Sequence, residues 1–236
     1  MKLPFVKMHG LGNDYVYIDC FRPETVKVLK KIDLPDLARR VSDRHFGVGS
    51  DGLVLIMPSE TADARMRIFN ADGSEAQMCG NAARCIAKYA YESGLCGETM
   101  TLETLAGIKQ MVVDPQSGLV TVTMGKTLGN PHQVLITDEP VEQIAIHEIP
   151  GTNAEWINIL NRHEIRMRVW ERGSGETMAC GTGACAAATT AMDKGLTDNE
   201  VTVHLRGGDL FIRRDEQGVI YMTGSATEVF RGEYIL

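Results

Sequence analysis

The chain has 236 residues, 44% of them hydrophobic and 23% charged, with a formal net charge of −7. That composition suits one large or two modest globular domains. The acidic balance, with no basic stretch, argues against a binder of phosphate backbones, and no apolar run approaches the roughly 20 residues of a membrane span. The opening MKLPFVKMHGLGNDYVYID lacks the apolar core and cleavage site of a signal peptide, so a soluble cytoplasmic protein is expected.

Alternating apolar segments predict strands at 15–19, 52–57 and 64–70, then at 99–105, 109–114, 119–124 and 132–137. Further strands are predicted at 155–160, 164–171, 200–205, 209–214 and 219–224. Turn formers punctuate them, among them DPQSG at 114–118, GNP at 129–131 and RGGD at 206–209. Helices are fewer. Residues 34–45 have a helical apolar pattern with a proline near the start. Residues 80–93 and 181–193 are alanine-rich with apolar spacing near 3.6, and Gly94 and Gly195 follow as C-terminal caps.

Six cysteines stand at 20, 79, 85, 96, 180 and 185. A cytoplasmic chain of this size needs no disulfide staples. The pairs 79/85 and 180/185 are too widely spaced for Cys-x-x-Cys zinc knuckles, and Cys85 and Cys185 suit small buried positions. Cys79 and Cys180 differ from the rest because their surroundings repeat. RMRIFN (65–70) precedes Cys79 and RMRVWE (166–171) precedes Cys180; Glu75 and Glu176 each lie four residues before their cysteine. Both cysteines are followed by a glycine, a short polar residue and a helix. The offset, 101 residues from Cys79 to Cys180, marks an internal repeat at domain scale.

A cysteine on the first turn of a helix sits beside unpaired backbone N–H groups and a partial positive charge. Those groups favour a thiolate or the carboxylate of a bound ligand. Gly80 and Gly181 allow close approach to the backbone, and Asn81 and Thr182 add short polar groups. Two such sites suit inversion of a carbon beside a carboxylate, with a thiolate taking a proton from one face and a thiol delivering one to the other. The helix-end donors would stabilise the charge that develops. HGLGND and GVGSDG lack the setting of a dinucleotide fingerprint, and no cofactor motif is present.

These residues resemble a known family. KMHGLGNDYVYID, HFGVGSDG, FNADGSEAQMCGNAARC, GNPHQV, RVWERGSGETMACGTGACAAA and YMTG are similar, in order, to the motifs of diaminopimelate epimerase. The resemblance implies a cofactor-independent epimerase that interconverts LL- and meso-2,6-diaminopimelate, on the route to lysine and cell-wall precursors. It implies a mixed α/β (α+β) fold of two pseudo-symmetric domains, each a barrel-like, mostly antiparallel sheet around a central helix, with the site in the cleft between them. The expected division is 1–116 with a C-terminal strand at about 226–236, carrying Cys79, and 117–225, carrying Cys180.

By the same resemblance, Cys79 and Cys180 are the catalytic pair. Gly80, Asn81, Gly181 and Thr182 form the turns that hold the reacting carboxylate. Asn13, Asn70, Asn130, Asn153, Glu171 and Arg172 bind substrate, with Arg172 suited to the distal carboxylate. His132 is a supporting polar group. No cofactor and no metal is implied; the partner is the small-molecule substrate, with no nucleic acid and no membrane, and a homodimer is expected. The chain departs from the family in its second half. Only two residues separate TVTMGK (121–126) from GNPH (129–132), so the second domain is shortened, and fewer strands with an edge for a partner to cover are expected. The position after GSD, often glutamine in the family, is Gly52.

Plainer readings stand beside these. Asn13, Asn70 and Asn130 could be turn residues, His132 an ordinary strand histidine, and Glu171–Arg172 an ion pair at a strand end. At the level of function, the rivals are a racemase of another amino acid on the same scaffold and a non-enzymatic thiol or zinc protein.

Overall fold

The computed structural model describes residues 1–126 and 131–236. Asn130 lies outside the described residues. The chain forms two compact units: Met1–Gly10 with Asp14–Val120 and Ser225–Leu236, and Leu11–Asn13 with Thr121–Gly224.

In the first unit, β1 (Lys2–Gly10) and β2 (Asn13–Asp19) lead to α1 (Pro23–Leu29) and α2 (Leu34–Ser42). Strands β3 (Gly52–Met57), β4 (Ala64–Asn70) and the two-residue β5 (Glu75–Ala76) then lead to α3 (Gly80–Glu92). They are followed by β6 (Thr99–Thr104), β7 (Gly107–Val113) and β8 (Val120–Gly125), most of which belongs to the second unit. The second unit continues with β9 (His132–Ile136), a single 3-10 turn at Val141–Gln143, β10 (Asn153–Asn161), β11 (Glu164–Glu171) and the two-residue β12 (Gly175–Glu176). Next come α4 (Gly181–Asp193), β13 (Glu200–Leu205), β14 (Gly208–Arg214) and β15 (Ile220–Gly224); β16 (Thr227–Ile235) returns to the first unit. Sequence periodicity located most strands but not β1 or α1, whose sequences show no clean alternation or apolar stripe. The helix expected at 34–45 stops at Ser42, because the Asp43 carboxylate takes the N–H groups of His45 and Phe46, each at 2.8 Å, in a turn.

The strand order in the first unit is β16-β1-β2-β3-β4-β6-β7, and in the second β8-β15-β14-β13-β11-β10-β9. The pairing pattern repeats. β2/β3 and β4/β6 are parallel, as are β9/β10 and β11/β13, while β3/β4, β4/β5 and β6/β7 are antiparallel, as are β10/β11, β11/β12 and β13/β14. Each two-residue strand carries the repeated glutamate, held by a repeated arginine: Arg67 Nε donates to Glu75 at 2.7 Å, and Arg168 Nε to Glu176 at 2.8 Å.

Each unit is a mostly antiparallel sheet curved on one helix. α4 touches β9, β10, β11, β13, β14 and β15, and its alanines at 184, 186–188 and 191 are buried on nearly every side. A helix apolar all round belongs at a core, and small side chains let the strands come close. α3 is equally enclosed but carries Arg84, fully buried, whose guanidinium donates to Asn81 Oδ1 at 2.8 Å and to the Ser225 carbonyl at 3.2 Å.

Among the described residues both orders contain seven strands, so the second half pairs as many as the first. The halves differ in the crossover that covers the outer sheet face. In the first unit α2 lays Leu37, Ala38 and Val41 over Leu3, Phe5, Val16, Ile18, Leu53, Leu55 and Phe69. In the second unit, among the described residues, Val141 and Ile146 pack with Ala154 and Trp156, with Leu135, Ile144, Ile149 and Trp170 at the margin.

Candidate active site

Cys79 and Cys180 each occupy the N-cap of a central helix, with extended backbone (φ −137°, ψ 119° and φ −117°, ψ 112°) and a carbonyl that takes the first helical N–H, from Ala83 and Ala184, at 2.9 Å. The strand before and the helix after set this position. At the other ends, Gly94 (φ 71°) and Gly195 (φ 68°) take the left-handed conformation that closes the helices, as their sequence positions predict. All six cysteines are thiols. Cys20, pushed up to about 12, and Cys85, up to about 11, are held protonated chiefly by burial.

In the first unit Cys79 is half-buried, and Gly80 and Asn81 behind it are buried. Asn81 is held by Arg84. Asn70 ends β4 exposed; its amide donates to Ser74 Oγ at 2.9 Å and its N–H to the Ser74 carbonyl at 2.8 Å, so it shapes the β4–β5 turn.

The second unit gathers more of the expected residues. Cys180 is 5% exposed; its Sγ accepts the Gly183 N–H at 3.4 Å and lies 3.5 Å from the Thr182 hydroxyl. Burial, then the neighbouring Glu171 carboxylate, push this thiol well above its ordinary range, against the opposing bonds from Thr182 and Gly183. The helix end alone would favour a thiolate, but here burial wins and Cys180 is a thiol. Glu171 accepts the Thr177 hydroxyl at 2.5 Å rather than pairing with Arg172. Burial raises its carboxyl, with Thr177 and Cys180 pulling the other way. Gly181 is buried behind the thiol.

His132 and Asn153 stand side by side in the parallel β9/β10 register. Asn153 Oδ1 accepts the backbone N–H of Arg172 at 2.9 Å, which fixes where Arg172 leaves β11. The Arg172 side chain is exposed and its Nη1 reaches the Gly151 carbonyl at 3.4 Å. Asn13 belongs to this unit through the turn before it. Leu11 takes φ 56°, an uncommon backbone for a residue with a side chain. A Cβ on Gly207 would stand 1.9 Å from the Leu11 carbonyl, and Gly207 in turn donates to the Met178 carbonyl at 2.9 Å. Asn13 is thereby carried to the segment that enters Cys180.

Two participants escaped the sequence reading. Glu155, in the middle of β10, is fully buried, and its Oε1 lies 2.7 Å from His132 Nδ1. Gly183 makes room for it, since a Cβ there would stand 2.7 Å from the same oxygen. Glu155 is an acidic residue inside an apolar strand pattern, and that break in EWINIL is the signal that could have found it. Among the described residues no group of three or more His, Cys, Asp or Glu is placed to hold a metal ion, and no helix is long and apolar enough to cross a membrane.

A sequence profile of the diaminopimelate epimerase family matches residues 5–128 and again 126–229, which is the duplication seen in the strands. The chain belongs to the diaminopimelate epimerase family. Curated diaminopimelate epimerases from Pelotomaculum thermopropionicum and Moorella thermoacetica are 44% and 46% identical to it, over 98% of this chain and 98% and 99% of theirs. Those alignments span 278 and 281 positions against the 236 residues here, so these epimerases carry segments this one lacks. Among solved structures, a phenazine biosynthesis protein of the PhzF family from Bacillus anthracis superposes with a TM-score of 0.72 at 17% identity, each chain covered completely. A probable proline racemase from Agrobacterium radiobacter gives 0.71 at 16% identity, over 99% of this chain and 93% of that one. At that identity the likeness is one of fold: two-unit, strand-rich and mixed α/β. This family member is therefore a full-fold epimerase with a trimmed second half.

Proposed function

We propose that the protein interconverts LL- and meso-2,6-diaminopimelate in the cytoplasm without a cofactor, as a homodimer, with Cys79 and Cys180 as the two proton carriers. The carrying observation is the duplicated helix end. Each cysteine caps a central helix in the same strand–turn–helix frame, with two further N–H groups behind it. The backbone amides after each cysteine, at Gly80–Asn81 and Gly181–Thr182, supply donors for the reacting carboxylate. The second-unit thiol starts protonated, so it delivers a proton in the direction in which Cys79 takes one. A thiolate removes the α-proton, the carbanion takes the other thiol's proton on its opposite face, and one thiol and one thiolate remain with their roles exchanged. Arg172, exposed beside Asn153, is suited to the distal carboxylate, and Asn13, Asn70 and Asn130 complete the proposed substrate contacts.

Incubation of the reduced protein with LL- and, separately, meso-diaminopimelate in D₂O tests this. Inversion with one deuterium at one α-carbon is expected, slowed by about 10²–10⁴-fold or more in both Cys79→Ala and Cys180→Ala. Exchange with another amino acid but not diaminopimelate would move the assignment to a racemase. Full turnover in either cysteine variant would remove the two-thiol mechanism.

A further inference from the structure

The duplication supplies an internal control for the buried polar groups around Cys180. Shifted by the 101 residues that separate the two cysteines, Glu155 corresponds to Val54, Gly183 to Ala82 and Glu171 to Asn70. Strand registers agree: Val54 pairs with Ile68 and Glu155 with Val169, while Tyr15 pairs with Gly52 as His132 does with Asn153. Val54 and Glu155 are both 0% exposed. The first unit builds the same strand, at the same depth, from a plain apolar side chain. The frame therefore has no need of a carboxylate there, and burying one is unfavourable unless it is bonded.

Its Oε1 meets His132 Nδ1 at 2.7 Å, whereas Glu155 Oε2 and His132 Nε2 are buried with no partner among the described residues. The His132 side chain is 5% exposed. A carboxylate oxygen can only accept, so a neutral imidazole in this pair puts its proton on Nδ1 and its lone pair on Nε2. The backbone has been cleared for this arrangement, because an alanine at 183 would collide with Oε1, yet Ala82 stands at that place in the first unit. Glu171 and Cys180 complete the cluster, and both feel the charge of Glu155.

We propose that Glu155 is a positioning residue for the reaction: it holds His132 in the Nδ1–H form and so presents the buried Nε2 lone pair to an ammonium N–H of the substrate. This rests on the epimerase reading above and assigns a role to a residue outside the cysteine pair. The exchange of an apolar for an acidic side chain in one half alone also makes the two halves chemically unequal, although their backbones are duplicates.

The test uses the full chain with ¹⁵N-labelled histidine and the variants Glu155→Gln and Glu155→Val. Imidazole ¹⁵N shifts should show His132 as the Nδ1–H tautomer in the wild type and a loss of that preference in Glu155→Gln. With it, kcat/KM for diaminopimelate should fall about tenfold or more, as when the group that orients a catalytic imidazole is altered. Glu155→Val copies the first half; it should stay folded, with a cooperative melting transition, and be as impaired in turnover. A wild-type His132 in the Nε2–H form, an unchanged tautomer in Glu155→Gln, or wild-type turnover despite a changed tautomer would each overturn the proposal. If the wild type itself fails to exchange diaminopimelate, the epimerase reading falls instead, and the tautomer measurement still decides what Glu155 does to His132.

Discussion

Cys180 sits between opposing influences. The helix N-terminus and the Thr182 and Gly183 contacts favour the thiolate, while burial and the adjacent Glu171 carboxylate favour the thiol. The balance lies with the thiol, which makes Glu171 the largest removable cause. Glu171→Gln takes away the negative charge beside Cys180 and so eases ionisation of the thiol. The expected outcome is that the rate of Cys180 alkylation by iodoacetamide, followed by peptide mass spectrometry, rises at lower pH than in the wild type. An unmoved or upward-shifted profile would mean that Glu171 does not govern the thiol. The first-unit counterpart of Glu171 is Asn70, neutral and engaged with Ser74.

Among the elements, β3 and β4 carry a tight constraint. Gly52 opens β3 opposite Asn70, and a Cβ on it would stand 2.0 Å from the Phe69 carbonyl and 3.0 Å from the Tyr15 ring. No side chain fits that backbone as it stands. Gly52→Ala should force the two strands apart and cost about 1–3 kcal/mol, as overpacked cores do. For a chain of this size that is a fall in Tm of about 2–4 °C per kcal/mol, measurable by calorimetry. An unchanged Tm would show that the sheet yields at no cost. The outer cover tells the same story at larger size. Where the first unit spends two helices between β2 and β3, the second crosses from β9 to β10 with one 3-10 turn and a smaller apolar cluster.

For the whole molecule, the ends of the strand orders bear on assembly. β16 ends the first unit's order and exposes Val229, Phe230 and Ile235. An unpaired edge with apolar side chains is a place for a second chain to add. A homodimer predicts a sedimentation-equilibrium mass of twice the 25.9 kDa chain, falling to one chain in Val229→Lys/Ile235→Lys. A single-chain mass for the wild type would remove the dimer from the proposal. The same edge carries Arg231 bonded to Glu228 at 2.8 Å, so the predicted contact is mixed rather than purely apolar.

The amino-acid sequence alone determined most strands, the two central helices with their glycine caps, the duplication and the pair of cysteines at helix starts. All of these are local patterns: alternation, 3.6-residue spacing and cap chemistry act over a few residues and repeat at a fixed offset. What only the tertiary structure decided depends on neighbours far apart in the chain. The partner of Glu155 is 23 positions away on another strand, the clearance that admits it belongs to Gly183 on a helix, and the turn at Leu11 is seated by Gly207. The equal strand count of the two orders was hidden for the same reason, since strand number follows from which segments find hydrogen-bonding partners.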